Sequence, residues 1–435
     1  MLRGKKAAFY TLGCKLNFSE TSTISRQLTD LGFSKAEFNE GADVFVINTC
    51  SVTENANREC RRIIRKAKKI SPDSTVIVTG CYAQLKPEAI SCIDGVDMVV
   101  GANEKFNIPS LLKKFSSQTP EIHGCSINNL NYFSSYSLHD RTRSFLKIQD
   151  GCDYPCTYCT IPLARGKSRS DTISNIVKNA EEIAKNGIKE IVLTGVNIGD
   201  FKQEEMRFID LIKQLDQING IERYRISSIE PNLITDEIID FVKDSKKFMP
   251  HFHIPLQSGS DNVLKMMKRR YNTKLYFEKI KKIQKAIPNV CIGADVIVGF
   301  PEETDLEFNK TLNFIKDLKI SYLHVFSYSE RENTKAILLY NKVDKQKRAE
   351  RSKMLRILSS KLQRLFYKRF ENTQQKVLFE KDNKDGFVYG FTENYIKIKI
   401  PFDNNLVKNS TNVLLNEIDE NLIMNAQINE LCIQQ

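Results

Sequence analysis

The chain has 435 residues, 41% of them apolar, with 65 Lys and Arg against 53 Asp and Glu and a formal net charge of +12. That length predicts two or three domains, and the charge implies an anionic partner without choosing between nucleic acid and membrane. With no apolar run long enough to span a bilayer and none following the basic amino-terminal residues, neither a membrane span nor export is expected and a cytoplasmic protein is predicted.

Residues 1–115 alternate short apolar runs (7–12, 43–47, 75–79, 97–100) with helix-length segments (19–31, 55–70, 86–92, 104–114). This alternation predicts an α/β domain with a parallel, Rossmann-like sheet. Residues 116–143 are polar, without a clear period, and read as a linker. Residues 144–371 repeat the alternation six times, with strands at 145–149, 191–194, 224–227, 251–255, 291–298 and 322–326. Six strand–helix units are two short of a closed barrel and predict a partial (β/α)6 barrel, ending in a basic helix over 342–371. Residues 372–435 change to short strands (376–379, 386–391, 395–400, 412–415) between polar turns, the pattern of a small antiparallel β-barrel.

Eleven cysteines cannot all pair as disulfides, and without an export signal they read as metal ligands or buried small hydrophobes. The strongest local pattern is Gly151-Cys152-Asp153-Tyr154-Pro155-Cys156-Thr157-Tyr158-Cys159, just after the first strand of the second segment. Three thiolates on one loop suit an iron–sulfur cubane with one iron left open for a ligand. A structural zinc site needs a fourth ligand, and Cys125 and His139 are its nearest candidates. Three more cysteines, Cys14, Cys50 and Cys81, each follow a strand of the first segment. A parallel sheet would gather them on one edge, where ligands collect in such sheets; ordinary burial is the alternative. Cys60, Cys92, Cys125, Cys291 and Cys432 lack a matching partner and take an ordinary structural reading.

The Cys-x3-Cys-x2-Cys loop resembles that of the radical S-adenosylmethionine enzymes, and the remainder resembles their methylthiotransferases. Four stretches at strand ends carry that likeness: Thr194-Gly195-Val196-Asn197, Ser227-Ser228-Ile229-Glu230-Pro231, 255–260 and 294–301. The resemblance implies two 4Fe-4S clusters, one on Cys152, Cys156 and Cys159 and one on Cys14, Cys50 and Cys81. It implies S-adenosyl-L-methionine bound at the first, with Gly195, Asn197, Ser228, Glu230, Gln257 and Asp295 as its contacts. The terminal segment resembles the TRAM RNA-binding barrel. The motifs around Cys14 and Cys50 look most like the branch acting on threonylcarbamoyladenosine at position 37 of tRNA, in the anticodon loop. The implied reaction forms a radical by reductive cleavage of the sulfonium, activates carbon 2 of adenine and delivers a methylthio group there. A monomer served by an electron donor such as flavodoxin or ferredoxin is expected. Alternatives are the branches acting on isopentenyladenosine or on a ribosomal-protein aspartate, and a non-catalytic, metal-stabilised RNA-binding protein.

The charge map locates the RNA contact. Residues 372–435 hold six Lys against nine Asp and Glu, whereas 58–69, 265–285 and 342–371 are strongly basic. Arg58, Arg62, Arg65 and Lys69 recur at helical spacing, which reads either as a solvated face or as a phosphate-binding one. Arg62 and Arg65 are the expected tRNA contacts, with Lys397 and Lys399 adding a few from the barrel.

Overall fold

The structure, a computed structural model, describes residues 4–116, 119–124, 126–127 and 130–428; Cys125 and Cys432 lie outside them, as does the third segment beyond 428. The amino-terminal sheet has six parallel strands, β1 (Lys6–Thr11), β2 (Ser34–Ala36), β3 (Val44–Thr49), β4 (Thr75–Gly80), β5 (Met98–Val100) and β6 (Glu121–His123), in the order β2-β1-β3-β4-β5-β6. The central strands are buried on both faces, which is why they read as continuous apolar runs. Helices α1 (Lys15–Asp30), α2 (Glu54–Ile70), α3 (Cys81–Leu85), α4 (Pro87–Ser91) and α5 (Ile108–Lys114) follow the strands.

Two expectations change here. The stretch 116–143 is not a free linker, because it contributes edge strand β6 and then runs along α1. Ser135 and Ser19 hydroxyls lie 3.0 Å apart, and Arg26 donates to the Tyr136 carbonyl at 2.8 Å. A three-residue strand carrying Glu121 and His123 has no apolar period to betray it. The segment at 86–92 is the shorter α4, preceded by α3 and separated from it at Lys86, with Pro87 opening the new helix.

In the second domain a ribbon of β7 (Arg143–Lys147) leads through β8 (Gln149–Asp150) and α6 (Ile161–Arg165) to β9 (Arg169–Ser170), which pairs back on β8 around the cysteine loop. Beyond α7 (Ile173–Lys185) lie β10 (Glu190–Thr194), the hairpin of β11 (Lys202–Gln203) and β12 (Met206–Arg207), and α8 (Phe208–Asp216). Then come β13 (Arg223–Ile226), α9 (Asp236–Asp244), β14 (His251–His253), α10 (Asp261–Met266), α11 (Thr273–Ala286), β15 (Cys291–Val298), α12 (Asp305–Leu318), β16 (Tyr322–Ser327) and α13 (Lys345–Lys368). Two parallel sheets, β13-β10-β7 and β14-β15-β16, are joined by bridges from Tyr224 to Phe248 and from Ser228 to His253. Together they make the expected open (β/α)6 barrel. Leu146, Leu193 and Tyr224 face outward into the helix layer, while Phe145, Val192 and Arg225 form a cross-strand row on the lumen side.

The third domain is a closed barrel, β17 (Gln374–Lys384), β18 (Phe387–Thr392), β19 (Lys397–Pro401), β20 (Ser410–Ile418) and β21 (Met424–Ile428), in the order β17-β18-β19-β21-β20. Buried Arg223 donates to the carbonyls of Phe391 and Lys376, and buried Arg225 to those of Thr392 and Glu393, at 2.8–3.0 Å. Among the described residues no helix is long and apolar enough to cross a membrane.

The first two domains meet through a buried charge cluster. From α1, Glu20 receives Arg165 at 3.0 Å and Lys105 at 2.9 Å, and Arg165 also reaches Asp150 at 2.9 Å and Asn17 at 2.6 Å. Lys147 and Arg169 complete the ring around Asp150. Burial alone would raise both carboxyls, but Arg165 and its neighbouring cations outweigh it and hold both well below the usual carboxylate range. Carboxyls depressed in this way stabilise the fold fully above their unfolded pKa of about 4 and progressively less as pH falls below it. Arg165→Met should therefore cost about 3–5 kcal/mol in urea unfolding at neutral pH, by leaving two buried carboxylates short of a partner. Its stability should also fall less steeply than that of the wild type between pH 4 and 2; parallel curves would show that this cluster is not the pH-sensitive element.

Candidate active site: two cysteine triads at a domain junction

The first triad is assembled by two glycines. Gly13 has φ +98°, and a Cβ there would stand 2.8 Å from Cys50 Cβ; Gly80 has φ +94°, and a Cβ would meet Asn48 and the Thr49 backbone at 2.4–2.5 Å. Only glycine permits these approaches. They draw the β1, β3 and β4 ends together so that Cys14, Cys50 and Cys81 share one edge. Each thiol is close enough to feel the others. Burial, then Cys81, pushes the Cys50 thiol up to about 11.

The second triad lies on the loop between β8 and α6. Cys152 Sγ accepts from the Tyr154 amide and Cys159 Sγ from the Ile161 amide, each at 3.4 Å, while Arg269 donates to Cys156 Sγ at 3.1 Å. Burial pushes Cys152 up to about 11 and Cys159 up to about 12. Such thiols give up their protons to a metal rather than to solvent. Neither triad packs its sulfurs within the 4.8 Å spread of one mononuclear ion's ligands. A cubane, whose irons occupy separate corners, takes thiolates spaced farther apart, so both donor sets fit a cluster better than zinc.

A cavity of 250 Å³ touches both halves: Val52 and Thr53 follow Cys50, Tyr158 and Cys159 belong to the second loop, and Gln257 and Asp295 come from the barrel. Of the expected S-adenosylmethionine contacts, Gln257 and Asp295 thus line this cavity. Asn197 is buried with neither side-chain amide atom partnered, as a polar group awaiting a ligand would be. Gly195 has a nearer reason to be glycine, since a Cβ would press on Ile198 and on two oxygens of Gln149 at 2.8–3.0 Å. Ser228 pairs through its backbone with His253. Glu230, raised by burial, is ion-paired with Arg269. Burial would raise Asp295 too, but His253 at 2.9 Å and His324 at 3.4 Å hold it well below the usual carboxylate range.

Sequence reasoning missed Gln149, Arg165 and Arg269. Gln149 accepts from the Val196 and Asn197 amides and donates to the Gly151 carbonyl, tying the β10 end to the cysteine loop. A lone Gln or Arg gives no signal in a sequence, and Arg269 stood inside a run read only as surface charge.

Residues 146–315 match the radical SAM superfamily, and residues 6–101 match a family described as Uncharacterized protein family UPF0004. The fold resembles that of the radical S-adenosylmethionine methyltransferase TsrM from Kitasatospora setae, with a TM-score of 0.56 and 12% identity over 74% of this chain and 72% of that one. The chain is therefore a radical S-adenosylmethionine enzyme, a class that works with a 4Fe-4S cluster and that cofactor. It is 40% identical to the threonylcarbamoyladenosine tRNA methylthiotransferase MtaB of Bacillus subtilis, over 90% of this chain and 89% of the relative. The Aquifex aeolicus protein of the same name is 36% identical over 91% and 96%. A tRNA-2-methylthio-N(6)-dimethylallyladenosine synthase of Thermodesulfovibrio yellowstonii is 31% identical over 92% and 94%. The chain belongs to the radical S-adenosylmethionine methylthiotransferase family.

The basic segments are not alike. In α13, Arg348 and Arg351 are buried and paired with Glu330 and Glu303, so part of that run is structural. Lys399 is tied to Asp419 at 2.6 Å, so its charge already has a partner. On α2, Arg58, Arg62, Arg65 and Lys69 form one exposed stripe opposite buried Cys60, Ile63, Ile64 and Ala67, and Arg62 is occupied by Glu59 at 2.8 Å. Arg65→Glu should accordingly weaken tRNA binding and lower the slope of log affinity against log salt by about one. Arg62→Glu should do less. Unchanged affinity and slope in the Arg65 variant would make α2 only a solvated face.

Proposed function

We propose that this chain converts N6-threonylcarbamoyladenosine at position 37 of tRNA to its 2-methylthio derivative. The carrying observation is the pair of cysteine triads brought to the junction of the first two domains, where Arg165 joins them beside a cavity lined by Cys159 and by Val52 and Thr53 just after Cys50. The substrate comes from the relatives, since five with that named activity reach 33–40% identity, against 31% for the dimethylallyladenosine synthases. Cys152, Cys156 and Cys159 would hold one 4Fe-4S cluster and Cys14, Cys50 and Cys81 another. When bound, these groups and S-adenosylmethionine supply the radical and sulfur chemistry that acid–base residues cannot perform on an aromatic C–H bond.

The chain's own part is placement. Arg269 spans Glu230 and Cys156, fixing the rim of the second loop against the β13 end. Asn197 and Gln257 offer polar groups to the amino acid and adenosine parts of the cofactor. Asp295, fixed by two histidines, remains an anionic acceptor at the cavity wall. Val52 and Phe326, both exposed, give the base an apolar surface to lie against. An electron donor such as flavodoxin or ferredoxin, a cytoplasmic setting and a monomeric enzyme complete this reading.

Anaerobically reconstituted protein should carry roughly eight irons per chain, twice one cubane. Cys156→Ala should abolish cleavage of S-adenosylmethionine, whereas Cys50→Ala should retain some cleavage and yield no methylthiolated nucleoside. Product formed at wild-type rates by the Cys50 variant would sink this division of labour. Nucleoside mass spectrometry of tRNA from cells lacking the protein should show loss of the methylthio mark from threonylcarbamoyladenosine alone; loss from isopentenyladenosine instead would reassign the substrate.

A further inference from the structure

A second cavity, of 290 Å³, is walled by the lumen row of Phe145, Val192 and Arg225 and lies between the start of α1, strands β7, β10 and β13, and Tyr395 of the terminal barrel. Lys15, Arg141, Arg143 and Arg225 all line it, and none of its lining residues is acidic. Their partners leave positive charge to spare. Arg225 and Arg143 share buried Glu190, at 2.9 and 3.8 Å, and Arg143 also meets Glu380 at 2.9 Å. Arg141 lies over the Phe18 ring at 4.7 Å, and neither it nor Lys15 makes an ion pair or hydrogen bond among the described residues. Lys15 directly follows Cys14, so the surplus cation stands beside the first triad. Phe18, Phe145 and Tyr395 supply the walls.

Lys15 and Arg141 are exposed at the mouth of this cavity while Arg143 and Arg225 deeper in it have their own carboxylates, so the unpaired cations stand where an incoming anion can meet them, and such a charge-assisted contact is among the stronger polar ones. We propose that this cavity binds the free carboxylate of the threonyl group on the target nucleoside, with Lys15 as its chief partner, and thereby selects that nucleoside over one bearing an isopentenyl group. The inference rests on the substrate proposed above. An isopentenyl substituent has no charge to offer, and its ideal cavity would be apolar. A backbone phosphate is the competing anion, but phosphates stay with the RNA backbone, whereas a base turned out of its stack can carry a substituent inward. Carbon 2 and the N6 substituent belong to one purine, so a base presented to Cys14 brings that substituent to Lys15.

The test uses the full chain with both clusters reconstituted and three anticodon stem-loop RNAs: unmodified A37, the threonylcarbamoyl form, and its methyl ester, which removes only the charge. Wild-type protein should bind the acid at least about tenfold more tightly than the ester. Lys15→Met should bring that ratio close to one without changing affinity for unmodified RNA, and Lys15→Arg should restore it. Equal binding of acid and ester by the wild type overturns the proposal, as does a Lys15→Met variant that keeps the ratio. Uniform weakening toward all three RNAs also overturns it, by making Lys15 a phosphate contact. Should Lys15→Met lose iron, the wild-type ratio and Arg141→Gln, expected to narrow it, decide instead. Mass spectrometry of cellular tRNA tests the substrate separately, so a methylthiolated threonylcarbamoyl product together with equal acid and ester binding would reject the cavity and keep the function.

Discussion

Everything at this site depends on one buried contact, the Arg165 guanidinium held between Glu20 and Asp150. Arg165 ends the short helix that follows the second cysteine loop, and Glu20 lies on the helix that follows Cys14. Through Asn17, the same guanidinium also grips the backbone around Leu12 and Thr49. Two domains that could otherwise slide on each other are thereby pinned at the junction to which each contributes its cysteines. Apolar packing alone would hold them together with less directional precision, since dispersion and burial do not specify angle as a two-pronged guanidinium does.

The alternation of strands and helices was legible because central parallel strands are apolar on both faces and helices are not. The gathering of Cys14, Cys50 and Cys81 on one edge was legible too, because each stands just beyond the end of a strand, and the other three stood out by their spacing on one loop. What stayed hidden follows from the physics of short and solitary signals. Strand β6 pairs through its backbone and needs no apolar residue; Gln149 works by geometry that no spacing records. Glu230 and Asp295 stood out as polar residues at strand ends, but their partners, Arg269 and the histidines at 253 and 324, come from distant positions in the chain. Charge was misread where it turned inward, as at Arg348 and Arg351.

The two halves of the catalytic region also divide their work by position. The barrel's strand ends hold the second cysteine loop through Gln149 and Arg269, so that loop is braced by the domain that carries it. The first triad is braced by glycines at β1 and β4, where the chain itself makes room for sulfur.

Arg223 and Arg225 project from β13 to carbonyl oxygens of the terminal barrel, two apiece. That barrel is thus a stopper seated in the floor of the larger one, and its removal would strip four acceptors from two buried guanidinium groups while letting water into the lumen. A truncated chain would then lose activity even if the missing piece never touched RNA. Deletion is the wrong instrument for asking what this domain binds; its outer face has to be altered with the stopper left in place.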